Sequence, residues 1–312
     1  MRKKNPPPLS SLVLTIYLLE KVTKKTKKGD FMVDPVYPIF TSAMFLSSFL
    51  CLKHATGNTD DLAFYLTSIV YGLILEKMTI LAFHKYSYPA ENYLVTFFGI
   101  PLAIGLGWSA VIYSCFTIGK ELGFSEKSLP FFTGLFVLHI DLSMDAIAIR
   151  VSFWQWSPPG AWFGVQLGNF FGWYSVALLF SGSFLFLRKR IENRVFLGIS
   201  TIFASVAMLI PLLKIWLVTT ESLLSKVIFL FIVLGISFII LTRKKTKLKE
   251  PALERIVPLL IFHLFFLTVL LSYGFNQEKP LLLPLSLGML LIGILIHSLP
   301  RISSKVQVLK SS

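Results

Sequence analysis

Apolar runs long enough to cross a lipid bilayer recur along this chain, separated by short polar loops. That alternation limits the fold more than any motif does. We read nine runs, at roughly 36–52, 62–83, 94–117, 129–149, 161–187, 195–217, 223–242, 256–274 and 281–299. A run of this length in hydrocarbon has to satisfy its own backbone hydrogen bonds, which leaves helices or closed barrels. These runs are too long and too uniformly apolar for barrel strands. The expected fold is therefore all-α, a polytopic membrane helix bundle with about eight or nine transmembrane helices. Only 15% of the 312 residues are charged, against about 25% in soluble domains.

The net charge of +14 would point to nucleic acid in a soluble protein. Here the basic residues fall in loops and tails, where they set topology and meet anionic headgroups, so the expected partner is the bilayer and no nucleic acid. Cys51 and Cys115 both lie inside apolar runs and supply neither a disulfide framework nor a metal site. Residues 9–19 are apolar but run into lysines rather than a small-residue cleavage site, so no cleavable signal peptide is expected. The chain divides into a basic tail over 1–34, one transmembrane domain over 35–300 and a short basic tail over 301–312.

The clusters Arg188–Arg194, Arg243–Lys249 and Arg301–Lys310 are each separated by two runs, so they share one side, the cytoplasmic one by the positive-inside rule. The N-terminal tail, with eight basic residues, then falls outside. An early run that does not fully cross, an atypical tail, or a start at Met32 would each resolve this. The expected location is the cytoplasmic membrane, spanned several times.

Three acids stand where charge is costly. Glu76 lies inside the second run, and Asp141 and Asp145 inside the fourth. Ionisable groups at that depth usually face a bundle interior or a wet cavity. The aspartates are four apart and share a helical face. Counted back from the ends of their runs, all three lie roughly 7–14 Å below the same membrane face. The loops at that face carry Tyr86, Tyr88, Trp154 and Trp156, and the next run begins there with AWFGVQLGNFFGW, bringing Trp162, Gln166, Asn169 and Trp173 to the same level. Plainer readings stand beside this one. The tryptophans suit an interfacial belt, Asp145 has Arg150 within reach as a partner, and buried acids also tie helices together. In the second half Lys214, His263 and His297 read as snorkelling or internally bonded groups, with nothing that looks like chemistry.

YGLILE, GIPLAIGLGWSAVIY, DLSMDAIAIRVSFWQW and AWFGVQLGNFFGW together resemble the carotenoid biosynthesis protein family, over about residues 60–187. That family includes membrane hydratases such as the archaeal bisanhydrobacterioruberin hydratases and the bacterial γ-carotene hydratases. Gln166 and Ala146 stand where the family commonly carries proline. The resemblance implies water addition to a terminal C=C bond of an acyclic or monocyclic carotenoid. Protonating such an alkene takes a strong, well-placed acid, and a carboxyl in an apolar bundle suits that role. The resulting tertiary cation needs π faces, and a polar group has to hold the water. On this reading Asp141 or Asp145 donates the proton, Glu76 and Asn169 orient water, and Trp162, Trp173 and Phe153 line the pocket. Trp108, Tyr86, Trp156 and Gln166 complete the expected substrate contacts. Carotenoid and water are the expected reactants, with no cofactor and no metal. A proton- or cation-coupled transporter, a membrane prenyltransferase and a pigment-binding scaffold remain as alternatives; for the prenyltransferase, Arg150 is the one clear diphosphate contact.

Overall fold

The computed structural model describes residues 34–242 and 252–311, so the N-terminal tail and the Arg243–Lys249 cluster lie outside it. Ten α-helices follow one another in this part of the chain. They are α1 (Val36–Ala55), α2 (Thr59–Phe83), α3 (Leu102–Glu121), α4 (Leu129–Ala148), α5 (Leu167–Leu187), α6 (Arg194–Thr219), α7 (Leu223–Thr242), α8 (Val257–Ser272), the short α9 (Phe275–Glu278) and α10 (Leu282–Ser311). Helices α1 to α7 are long and apolar enough to cross a membrane; α8 and the 282–298 stretch of α10 are apolar but shorter. The protein is an all-α integral membrane bundle, in which each of the nine apolar runs contains a helix and seven of these helices are long enough to span.

Polar residues at the loops stop and start these helices. The Asn58 side chain accepts the amides of Asp60 and Asp61 at the start of α2, and Asn193 accepts that of Phe196 in α6. Each capped end satisfies donors that the first helical turn leaves free. Helices α3 and α4 form the buried centre, with α1, α2, α5 and α8 packed around them, while α7 shows almost its whole length outward. An outward face of Phe231, Ile232, Ile236 and Phe238 is the surface expected against lipid rather than water.

The two ends of the bundle differ. At one end the α1–α2, α3–α4 and α5–α6 connections gather ion pairs: Arg194 to Asp60 (2.7 Å), Lys120 to Asp61 (2.9 Å), Arg188 to Glu126 (2.6 Å) and Arg255 to Glu121 (2.8 Å). Lys189 and Arg188 beside Glu126 hold its carboxyl below the usual range. The opposite end is built from the long α2–α3 and α4–α5 connections and carries no such network among the described residues. Two helix starts differ here from the sequence reading. Residues 94–101 form a hairpin of β2 (Thr96–Phe97) and β3 (Ile100–Pro101), turning at Phe98 and Gly99 with positive φ, and α3 begins only at Leu102. Residues 161–166 form a turn, with Phe163 and Gly164 at positive φ and backbone bridges from Gly160 to Gly164 and from Trp162 to Val165. Both stretches are apolar enough to extend a hydropathy run but include φ values that no α-helix accepts.

Candidate active site

The chamber begins where α2 stops. His84 takes a left-handed conformation (φ 49°) and its amide closes on the Ile80 carbonyl. The chain then forms β1 (Tyr86–Ser87), which pairs antiparallel with β4 (Gln155–Trp156), Tyr86 opposite Trp156. The Ser157 amide donates to the Lys85 carbonyl at 2.8 Å and extends the ribbon. This short ribbon joins the two long connections and places Tyr86, Tyr88, Trp154 and Trp156 over one cavity. Their rings meet as Tyr86–Trp156 (5.0 Å) and Tyr88–Trp154 (6.1 Å).

The cavity holds about 200 Å³ and is walled by α1 to α6 and α8. Glu76 points into it from α2. One carboxylate oxygen accepts the Trp108 indole N–H at 2.6 Å, and the other accepts the phenol O–H groups of Tyr86 (2.5 Å) and Tyr88 (2.8 Å). Three hydrogen-bond donors meet it, and among the described residues it makes no ion pair, an arrangement that suits the acceptor-only form of the carboxylate. Burial, with the Glu76 charge next in weight, pushes both phenols well above their ordinary range, so they remain donors at any working pH. Trp108 also stacks on Trp173, with centroids 4.0 Å apart and planes at 30°. That stack is held by a close approach of α2 to α3 at Gly72, where a Cβ would lie 2.8 Å from the Trp108 Cβ. Gly72→Ala is therefore expected to cost about 1–3 kcal/mol through overpacking, read as a lower Tm in detergent. Gly172→Ala, where a Cβ meets nothing within 4 Å, is expected to leave Tm unchanged or raise it.

Opposite Glu76 stand Asp141 and Asp145, fully and almost fully buried on α4. Asn169, in the first turn of α5, bridges them: its Nδ2 donates to Asp141 Oδ2 at 2.9 Å and to Asp145 Oδ2 at 2.7 Å. The Oδ1 atom of each aspartate is buried with no hydrogen-bond partner among the described residues. A buried oxygen left without a donor is a place for a proton, a water or a reacting group, because leaving it bare costs desolvation energy. Only Asp145 of the pair lines the cavity; Asp141 sits behind it.

Of the residues named from sequence, Glu76, Tyr86, Trp108, Asp145, Trp156, Gln166, Asn169 and Trp173 line this one cavity. Phe153 and Trp162 do not. Phe153 packs away from it against Phe40 (4.4 Å) and Tyr37 (5.2 Å). Trp162 lies in the turn before α5 and spends its indole N–H on the Leu142 carbonyl (2.9 Å), because residues 161–166 do not continue the helical face that carries Asn169 and Trp173. Arg150 bonds the carbonyls of Ala146 and Phe163 and leaves Asp145 alone. Trp154 and Tyr88 line the chamber rather than only marking an interface. The second half also contributes, contrary to its bland sequence: Leu209, Leu213 and Trp216 of α6 and Phe262 of α8 form wall. Trp216 is fixed by stacking on Phe171 at 5.0 Å and 14°. His263 lies 3.2 Å from His139, Nε2 to Nε2, outside the chamber. Among the described residues no group of three or more His, Cys, Asp or Glu is placed to hold a metal ion.

A membrane bundle with an aromatic chamber near one end, holding one donor-saturated carboxylate and one amide-bridged acid pair, is the class that fold and site define. The model of the carotenoid biosynthesis protein family matches residues 33–242, which takes in α1 to α7 and two thirds of the chain. The chain belongs to the carotenoid biosynthesis protein family. Its role is accordingly in carotenoid biosynthesis, on a carotenoid-related lipid. No curated protein and no solved structure compared with it matches.

Proposed function

We propose that this protein is a carotenoid hydratase of the cytoplasmic membrane, adding water to a terminal C=C bond of an acyclic or monocyclic carotenoid. The observation that carries the reading is the pairing of two unlike acid sites across one aromatic chamber. Asp145, backed by Asp141 and Asn169, is the proton donor; Glu76, under three donors, is the anion.

In the first step the alkene π pair takes the proton from the Asp145 carboxyl at the less substituted carbon, which leaves a tertiary cation and a carboxylate. The stacked Trp108 and Trp173 present π faces, and Glu76 presents negative charge, to that cation. In the second step a water oxygen adds to the cation and its extra proton returns to the Asp pair, so the acid is regenerated and the sum is one water added. Asn169 holds the pair in register by donating to both members, and the ribbon of β1 and β4 shields the cation from bulk water. The basic end of the bundle faces the cytoplasm by the positive-inside rule, which places the chamber in the outer leaflet.

The test is expression in a bacterium that makes an acyclic carotenoid with free terminal double bonds, followed by chromatography and mass spectrometry of the pigments. The expected product is a pigment heavier by one water. An unchanged pigment profile, with the protein verified in the membrane and each acyclic and monocyclic precursor supplied in turn, would overturn the reading.

A further inference from the structure

We infer that the cleft between α2 and α6 is a lateral portal through which the apolar tail of the polyene lies in the surrounding lipid while only its end group occupies the chamber. The inference rests on the hydratase reading for the identity of the guest, and on geometry alone for the cleft.

Helices α2 and α6 both run from the basic end toward the chamber end. Near the basic end they touch: a Cβ on Gly198, in the second turn of α6, would lie 2.6 Å from the Thr67 hydroxyl oxygen. Toward the other end the chamber comes between them, with Thr79 and Phe83 of α2 on one side and Leu209, Leu213 and Leu217 of α6 on the other. Pro211 falls inside this half of α6, where it removes a helix hydrogen bond and allows the upper turns to lean away. The three leucines recur every four residues and so form one stripe. Along it exposure rises from 4% at Leu209 to 55% at Leu217, so a single wall runs from the buried chamber to the outside of the bundle. It emerges within the last two or three turns of α6, roughly 3–15 Å below the helix end, flanked by the outward-facing Met78, Leu81 and Val218. The opening therefore faces acyl chains.

Size and chemistry select the occupant. A linear polyene is about as long as the hydrocarbon core is thick, roughly 30 Å, whereas the chamber holds about 200 Å³. The chamber has room for an end group and the first few carbons, and the remainder of the chain has to leave. The cleft lining just named is aliphatic and aromatic apart from the Thr79 hydroxyl, which suits a hydrocarbon tail and no charged headgroup. A consequence follows for specificity: the near end is read by the acids and the tryptophans, and the far end, out in lipid, is not read at all.

The test places a cysteine at Leu213→Cys, with Ile239→Cys on the outward face of α7 as control, both with Cys51 and Cys115 replaced by alanine. The full chain sits in phosphatidylcholine vesicles and is labelled with pyrene maleimide dissolved in the bilayer. Both positions are expected to react. Lycopene at about ten times its dissociation constant is expected to slow labelling at 213 about tenfold, since only the unoccupied fraction reacts, and to leave 239 unchanged. Equal labelling of 213 with and without lycopene, at a lycopene concentration that saturates the tryptophan quenching of the same unlabelled protein, would overturn the portal. Undiminished turnover by the pyrene-labelled Leu213→Cys protein would overturn it too. Protection at 213 without any hydrated product would uphold the portal and count against the hydratase reading instead.

Discussion

Asp145→Asn lowers the rate of hydration by a factor of about 10²–10⁴, the range that a positioned general acid contributes, while the carotenoid still binds. The reason is local. Asp145 is the member of the acid pair that lines the chamber, and its Oδ1 is left without a hydrogen-bond partner among the described residues. Asparagine keeps the size and one acceptor but has no acidic proton to give. Asp141→Asn is expected to lose less, because Asp141 reaches the chamber only through Asn169 and Asp145. The comparison is made on initial rates in vesicles, with lycopene binding followed in parallel through tryptophan quenching. Equal losses at the two positions would mean that the pair acts as one unit rather than as donor and support.

Glu76→Gln gives the second large effect, a fall of about 10²–10³ in turnover, the usual weight of one preorganised electrostatic group. It also destabilises the protein. A glutamine has one carbonyl oxygen for three donors, so at least one of the Tyr86, Tyr88 and Trp108 hydrogens loses its acceptor in a buried place. Each orphaned donor costs about 1–3 kcal/mol. The two effects separate under a variant of the surroundings: Tyr88→Phe removes one donor, keeps the anion, and is expected to retain most turnover with a modest loss of Tm. If Tyr88→Phe abolished turnover as fully as Glu76→Gln, the tyrosine and not the carboxylate would be the group that matters.

Much of this was legible in the chain. Helical membrane crossing follows from hydropathy because lipid leaves the backbone no alternative, and intramembrane acids stand out because their cost is high. Counting depth from run ends puts Glu76, Asp141 and Asp145 at one level; Glu76 and Asp145 line one cavity, and Asp141 does not. What the pattern concealed was irregular backbone. Apolar residues at 94–101 and 161–166 look like helix to any hydropathy average, yet Phe98, Gly99, Phe163 and Gly164 adopt positive φ there. Trp162 falls outside the chamber lining for that reason. Phe153, five residues past the end of α4, turns toward Tyr37 and Phe40 on α1, a contact between residues more than a hundred positions apart that no periodicity encodes. Trp216 and Leu213 carry no signal at all, since an apolar residue facing a chamber and one facing lipid are alike in sequence. No sequence pattern marks the β1–β4 ribbon, because each strand is two residues long and only the pairing of Tyr86 with Trp156 gives it meaning.

The central claim, that this protein adds the elements of water across a terminal double bond with Asp145 as acid, has a direct isotopic test. The purified protein in vesicles is supplied with lycopene in deuterium oxide enriched in heavy oxygen, and the product is analysed by mass spectrometry. The expected result is one deuterium on the carbon next to the new tertiary alcohol and one heavy oxygen in that alcohol, both absent with Asp145→Asn. Product that carries neither label, or an Asp145→Asn protein that installs both at the wild-type rate, would contradict it.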